Sequence, residues 1–277
     1  MFTKLNVFSC VETHCDELDI VNIDNYACFL KNRKQKNVKR SGGIATFINN
    51  IVSNHFSEIP TDCEYVQWFK VSQSFTQTEK DLIFVTIYIL PENTKYFSAD
   101  LLEAFYAEAE QFVSDYKYVI LFGDFNARTA TLSDIAELDE TLFDFLDTEV
   151  DSMLNDRVYE QLYSLNMSHK RCSQDKVSNR LGRRLVEFCK ANDLVILNGR
   201  AFSDAFGKFS CKNTSVIDYT LATVDALTLF KYFEIDDFCP IVSDVHSCIN
   251  FKLSCNNGTD SVENDKVVPE KIKIMVR

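Results

Sequence analysis

Tyr118-Val119-Ile120-Leu121-Phe122-Gly123-Asp124-Phe125-Asn126-Ala127-Arg128 is the stretch on which the reading of this chain turns. Its first five residues form an apolar run of the kind a strand shows when both faces are buried. The run stops at Gly-Asp-x-Asn, a turn-forming group. A carboxylate at the end of a buried strand is costly to leave unused, because it loses hydration there. Just upstream, Leu101, Leu102, Phe105, Tyr106, Ala109, Phe112, Val113 and Tyr116 recur at helical spacing, behind Ser98 as N-cap and Asp100 in the first turn. Residues 98–116 therefore read as an amphipathic helix that feeds the strand.

Outward from this unit, β-rich runs appear at Leu5 to Val11, Ile44 to Ile48, Tyr65 to Val71 and Leu82 to Leu90. On the other side lies an acidic stretch with neither a two-residue nor a 3.6-residue period. It reads as a long surface loop over about 130–177, with room for one short helix. A second helix spans about Asn179 to Ala191, with Leu181, Leu185 and Phe188 on one face. Strands then read at Leu194 to Leu197, Gly207 to Cys211, Val216 to Ala222, Tyr232 to Ile235 and Cys248 to Leu253, with a short helix near Asp225 to Phe230. Strands and helices alternating in this way imply α/β or α+β layers, here one domain over residues 1–253. Residues 254–277 are polar and aperiodic and read as a linker or tail.

Composition narrows the class. In 277 residues with 46% hydrophobic content there is enough apolar material for a sizeable core, and 7 Gly with 4 Pro exclude collagen-like and Pro-rich disordered chains. No apolar segment approaches the roughly 20 residues of a membrane span, and the N-terminus lacks the pattern of a secretory signal. An intracellular protein is expected. The ten cysteines contain no CxxC pair and read as reduced small hydrophobes. The net charge of −12 opposes nucleic-acid binding at first sight, since phosphate wants a basic surface. Nine acids and no Lys or Arg lie between Ser133 and Asp156, however, so the rest of the chain carries −3, while Lys31 to Arg40 holds six basic residues and no acid. These runs are either two solvated loops or the opposite poles of a surface with one basic face.

Acids and amides stand where predicted strands end, the usual place for a site built on a sheet. They are Glu12 after the first strand, Asp124 and Asn126 after the most apolar one, Asp218 in Ser215-Val216-Ile217-Asp218-Tyr219, and Asp244 with His246 in Ser243-Asp244-Val245-His246. Oxygen ligands with one imidazole suit Mg²⁺ or Mn²⁺ better than zinc. Taken singly, each acid is equally a cap or turn former, and Tyr88 is equally a core aromatic. His14, His55 and His169 fit no such pattern.

In this order the blocks Glu12-Thr13, Ser41-Gly42-Gly43, Tyr88-Ile89-Leu90-Pro91, Gly123 to Arg128, Ser215 to Tyr219 and Ser243 to His246 resemble the endonuclease/exonuclease/phosphatase superfamily. Asn179-Arg180-Leu181-Gly182-Arg183-Arg184, followed by Leu197-Asn198-Gly199-Arg200, is similar to the endonuclease domain of LINE-type retrotransposon proteins. The resemblance covers about residues 7–253. It implies an α+β four-layer sandwich, two β-sheets packed face to face and flanked by helices. It also implies metal-dependent phosphodiester hydrolysis, most specifically DNA nicking, in the nucleus, beside a polymerase module in the parent protein. Glu12 and Asp244 are then metal ligands. Asp124 orients or deprotonates the attacking water, Asn126 bonds the water or phosphate, Asp218 holds the imidazole of His246, and His246 and Tyr88 contact the phosphate. Ser210, Asn198 and Arg128 are expected to bind substrate.

Three departures accompany the resemblance. The family's opening strand falls before Met1, which predicts a truncated domain with an open edge in one sheet. Val245 separates Asp244 from His246 where the family joins Asp to His. Asn49 and Asn50 replace a basic residue after the Gly-Gly strand. Alternatives that stay open are a related phosphoesterase acting on abasic DNA, RNA or an inositol phosphate, and an inactive remnant that binds nucleic acid or protein.

Overall fold

The computed structural model describes residues 5–32, 41–136, 149–241, 243–254 and 271–276. Of the basic run only Lys31 and Asn32 lie among them, and residues 137–148 of the acidic stretch lie outside. The strands are β1 (Leu5–Val11), β2 (Tyr26–Lys31), β3 (Ile44–Asn49), β4 (Phe56–Ile59), β5 (Val66–Val71), β6 (Leu82–Tyr88), β7 (Tyr118–Asp124), β8 (Leu194–Ile196), β9 (Asp218–Thr223), β10 (Phe230–Ile235), β11 (Ile249–Leu253) and β12 (Lys271–Val276). The α-helices are α1 (Gln73–Thr76), α2 (Ala99–Asp115), α3 (Glu149–Ser164) and α4 (Arg180–Ala191).

Two six-stranded sheets result, β10-β11-β12-β1-β3-β2 and β4-β5-β6-β7-β9-β8, packed against each other and flanked by helices as the sequence implies. The apolar run of β7 is buried along its whole length because β6 and β9 flank it within the sheet, while the opposite sheet and α2 cover its faces. β6 and β7 pair in parallel, which requires a crossover, and α2 supplies it. β7 meets β9 antiparallel with Asp124 opposite Asp218. Register alone thus sets two carboxylates side by side at one rim.

Between the sheets, four polar side chains close on one another. Thr46 Oγ1 donates to Gln67 Oε1 at 2.8 Å, Thr86 Oγ1 donates to Ser9 Oγ at 2.9 Å, and the Ser9 and Thr46 hydroxyls are 3.0 Å apart. All four are buried, so this chain of hydrogen bonds fixes how β1 and β3 sit over β5 and β6. On the outer face of the second sheet, α2 buries Leu102, Phe105, Tyr106 and Ala109, and its Glu108 accepts from Trp68 Nε1 at 2.8 Å. Ser98 caps this helix as predicted.

Two close approaches account for two glycines of the signature blocks. A Cβ on Gly123 (φ +135°) would stand 2.1 Å from the Ile87 carbonyl of β6, and one on Gly182 would stand 1.8 Å from the Arg128 carbonyl. The second contact seats α4 on the turn after β7, where Asn179 Oδ1 accepts from Gly182 N (2.7 Å) and Arg128 N (2.9 Å). Arg184 of the same block forks onto Glu103 of α2 and covers the Tyr106 ring at 4.6 Å.

Two sequence expectations need correction. The stretch 130–177 is not simply a surface loop. It contains the 16-residue α3, whose Val158 and Leu162 are buried one turn apart, and it contains Asp134, buried in an ion cluster with Arg171 and Arg200. Few apolar residues in an acidic background leave the helical period too faint to read. The tail is not a linker throughout, because Lys271–Val276 is β12, set between β1 and β11. The edge expected to stand open beside β1 is therefore occupied: β1 pairs with β3 on one side and, in parallel, with β12 on the other. The alternation of Ile272, Ile274 and Val276 with Lys271 and Lys273 fits a strand, but its partners are remote in sequence and no local pattern announces them.

Gly123→Ala combines backbone overlap with a left-handed φ, so it should lower stability by about 3 kcal/mol. Urea denaturation measures it, and an unchanged midpoint would contradict the close approach at Ile87.

Candidate active site

The rim where β1, β6 and β7 end, and where β9 and β11 begin, collects most of the residues singled out in the sequence. Asp124 closes β7 and Asp218 opens β9, at 2% and 0% exposure. His246, 5% exposed, arrives from the loop before β11. Its Nδ1 donates to Asp218 Oδ2 at 2.9 Å, and its Nε2 lies 4.0 Å from Asp124 Oδ2. Among the described residues, Asp124, Asp218 and His246 offer one ligand atom each within 4.8 Å of one another. Glu12 belongs to the same neighbourhood, since the Tyr88 hydroxyl donates to its Oε1 and its charge acts on both Asp124 and His246.

Local structure explains how each group is held. Glu12 and Asn126 both take left-handed backbone, φ 55° and 47°, a conformation Asn tolerates and Glu rarely adopts. The turn after Glu12 is fixed by the Gly-Gly block, with His14 N donating to the Gly42 carbonyl at 2.8 Å. Asn126 donates from its backbone to Asp124 Oδ1 (2.8 Å) and from Nδ2 to Asp124 Oδ2 (3.0 Å) and the Ile89 carbonyl (2.7 Å). It orients the carboxylate.

His246 owes its place to Ser243, a residue the sequence blocks contain without marking. Ser243 Oγ accepts from the backbone N–H groups of Val245 (3.3 Å) and His246 (3.0 Å), closing a tight turn. The extra Val245 is absorbed in that turn, and His246 is directed inward. Asp244 is left exposed on the outside, apart from the cluster of Asp124, Asp218 and His246. A hydroxyl three residues before the His is the available signal.

The three residues expected to bind substrate all have protein partners. Ser210 is buried, and its hydroxyl oxygen accepts from Ile217 N and Asp218 N, both at 3.0 Å. Asn198, also buried, donates to the Asp218 carbonyl (3.0 Å) and accepts from Thr220 N (3.0 Å). Arg128 forks onto Asp175 at 2.8 and 2.6 Å. Ser210 and Asn198 thereby steady the strand that carries Asp218.

Electrostatics follow from burial. Asp124 is pushed well above the usual carboxylate range by desolvation and by the neighbouring charge of Asp218, against the pull of His246. Burial also opposes charge on His246, but the charge and hydrogen bond of Asp218, helped by Asp124 and Glu12, outweigh it and raise the imidazole to about 9. At neutral pH His246 therefore carries its proton, facing Asp218 and Asp124. Asp218 Oδ1 is buried with no hydrogen-bond partner. An orphaned carboxylate oxygen beside two further acids fits a cation-binding rim.

Protein-family models give no match to the chain, and neither do curated proteins. Solved structures do match. The 3′ phosphatase NExo from Neisseria, bound to a product DNA hairpin, is similar over 90% of this chain and 88% of that one, at 13% identity and a TM-score of 0.53. The 3′-5′ exonuclease NExo from Neisseria meningitidis gives 90% and 89% coverage, 13% identity and 0.53. The Xenopus laevis APE2 catalytic domain is a weaker likeness, at 13% identity, 90% and 83% coverage and a TM-score of 0.45. At this identity what is shared is the fold, two sheets packed face to face and flanked by helices.

The raised pKa of His246 has a consequence for folding. Its charged form favours the native state, so that contribution is complete below the unfolded value of 6.5 and is lost as pH rises through about 9. In metal-free buffer, stability should fall over this window by up to about 3 kcal/mol, and His246→Gln should flatten the fall. Urea midpoints across pH 6–10 measure both.

Proposed function

We propose that this chain is a divalent-cation-dependent phosphodiester hydrolase acting on DNA, of the strand-nicking kind found in LINE-type retrotransposons. The observation that carries the reading is the Asp218-His246 pair, 2.9 Å apart, set against the raised carboxylate of Asp124. Hydrolysis needs a base for water, a donor for the phosphoryl oxygens and neutralisation of developing charge. Asp124, fixed by Asn126 beside the imidazole, is placed to accept the proton of an attacking water. His246, protonated and held by Asp218, donates from Nε2 to a phosphoryl oxygen. Glu12, with Asp124 or the free oxygen of Asp218, provides the oxygen donors for Mg²⁺ or Mn²⁺. A bound cation supplies charge neutralisation and polarises the phosphate. The Tyr88 hydroxyl, engaged by Glu12, acts on that carboxylate in this structure.

DNA as substrate is supported by the product hairpin bound to NExo, a protein of the same fold. The LINE assignment rests on the sequence blocks around Asn179 and Asn198, and nuclear residence and a polymerase module in the parent protein go with it. A second reading, end-processing of DNA, is favoured by the likeness to NExo, a 3′ phosphatase and 3′-5′ exonuclease.

With Mg²⁺ or Mn²⁺ the chain should relax supercoiled plasmid and lose this with EDTA. Asp124→Ala and His246→Ala should each cost about 10³-fold or more, the scale of a lost acid or base. Nicking at full rate in both variants would overturn the site. Release of phosphate from a 3′-phosphorylated duplex, without nicking, would select the second reading.

A further inference from the structure

We propose that β12 is a positioning strand for the rim, the spacer that sets Glu12 against the groups of the second sheet. The inference rests on the hydrolase reading of that site. In the first sheet β1 and β11 do not pair with each other, because β12 stands between them. It runs parallel to β1, with Val7 opposite Ile272 and Val11 opposite Val276, and antiparallel to β11, with Ile249 opposite Ile274 and Phe251 opposite Ile272. Ile272 to Ile274 therefore belong to both ladders. Glu12 follows Val11 directly, and His246 lies three residues before Ile249. Both segments leave the sheet beside the final three residues of β12.

The remaining contacts set what β12 controls. His246 is secured independently, through the Ser243 turn and through Ser247 N donating to the Ser210 carbonyl at 2.8 Å. Asp124 and Asp218 are paired within the second sheet. Glu12 depends on β1, and β1 is tied to β3 and β12 alone within its sheet. Without β12 the sheet divides into β10-β11 and β1-β3-β2, each with an unsatisfied edge. Those edges either splay or meet directly, and direct pairing moves β1 by about one strand spacing of 4.8 Å. Either outcome shifts Glu12 relative to a fixed acid-imidazole pair, and misplacement of about 1 Å costs on the order of 100-fold in rate.

The test uses the intact chain carrying Ile274→Pro, which removes an N–H from the middle of β12, beside Ile274→Val, which keeps it. The proline variant should lose hydrogen-exchange protection at β1 and β11 while β6 and β7 keep theirs. Its kcat for plasmid nicking should fall about 100-fold with KM held, and the valine variant should match the parent. A synthetic peptide of residues 269–277 added to the proline variant should restore part of the rate. Unchanged kcat in the proline variant overturns the proposal. So does rapid exchange of residues 271–276 in the unaltered chain, a measurement that stands even if the proline variant fails to fold. An unaltered chain that protects β12 yet never cleaves DNA overturns the hydrolase reading and leaves the strand's place intact.

Discussion

The adjacency of Asp124 and Asp218 across the β7-β9 ladder is the constraint that the rest of the rim answers to. Two carboxylates with almost no access to water repel each other and forfeit hydration, a cost of several kcal/mol per ion when nothing compensates. Compensation arrives from two residues. His246 supplies a positive charge, Asn126 supplies two donors to Asp124, and the bond from His246 Nδ1 occupies one oxygen of Asp218. The balance stays short of neutral once Glu12 is counted.

Around that centre the protein is rigid for identifiable reasons. Ser210 and Asn198 fasten β9 from both sides of Asp218 by backbone hydrogen bonds. Asn179 and Gly182 press α4 onto the turn that follows Asp124. Further out, Asp134 accepts a fork from Arg200 at 2.9 and 2.8 Å and lies 3.4 Å from Arg171 Nε, and it also accepts from Ile196 N. Burial works against ionisation of Asp134, but the two guanidiniums prevail and hold it below the usual range. The cluster fastens the residues after Thr129 to β8, so a segment that looks solvated from its composition is fixed from within.

How much of this the sequence discloses depends on the range of the forces involved. Strands β1, β3, β5, β6 and β7 and helices α2 and α4 are legible because burial on one or two faces writes a period into neighbouring residues. Glu12, Asp124, Asn126, Asp218 and His246 are legible as acids, an amide and an imidazole at strand ends. Their convergence is not, since it follows from pairing registers such as Asp124 opposite Asp218. Ser210, Asn198 and Arg128 illustrate the same limit from the other side. Their chemistry suits a substrate, and only the third dimension shows Ile217, Thr220 and Asp175 already using it. α3 is muted by its acidic background. β12 is concealed because a six-residue alternation acquires meaning only beside its partners.

The parallel ladder between β1 and β12, with Leu5 opposite Lys271, also orders the events by which the molecule comes together. β4 to β7 lie within residues 56–124 and close over short loops, so their sheet is free to assemble while later residues are still being made. The other sheet spans nearly the whole polypeptide and waits for residues 271–276. Translation at about 5–20 residues per second leaves β1 with one bare edge for many seconds, long compared with the time a strand pair needs to form. The rim is thus completed last, after the half that carries Asp124 and Asp218. A nascent chain passes through an interval in which it is folded in one layer and its rim is still incomplete.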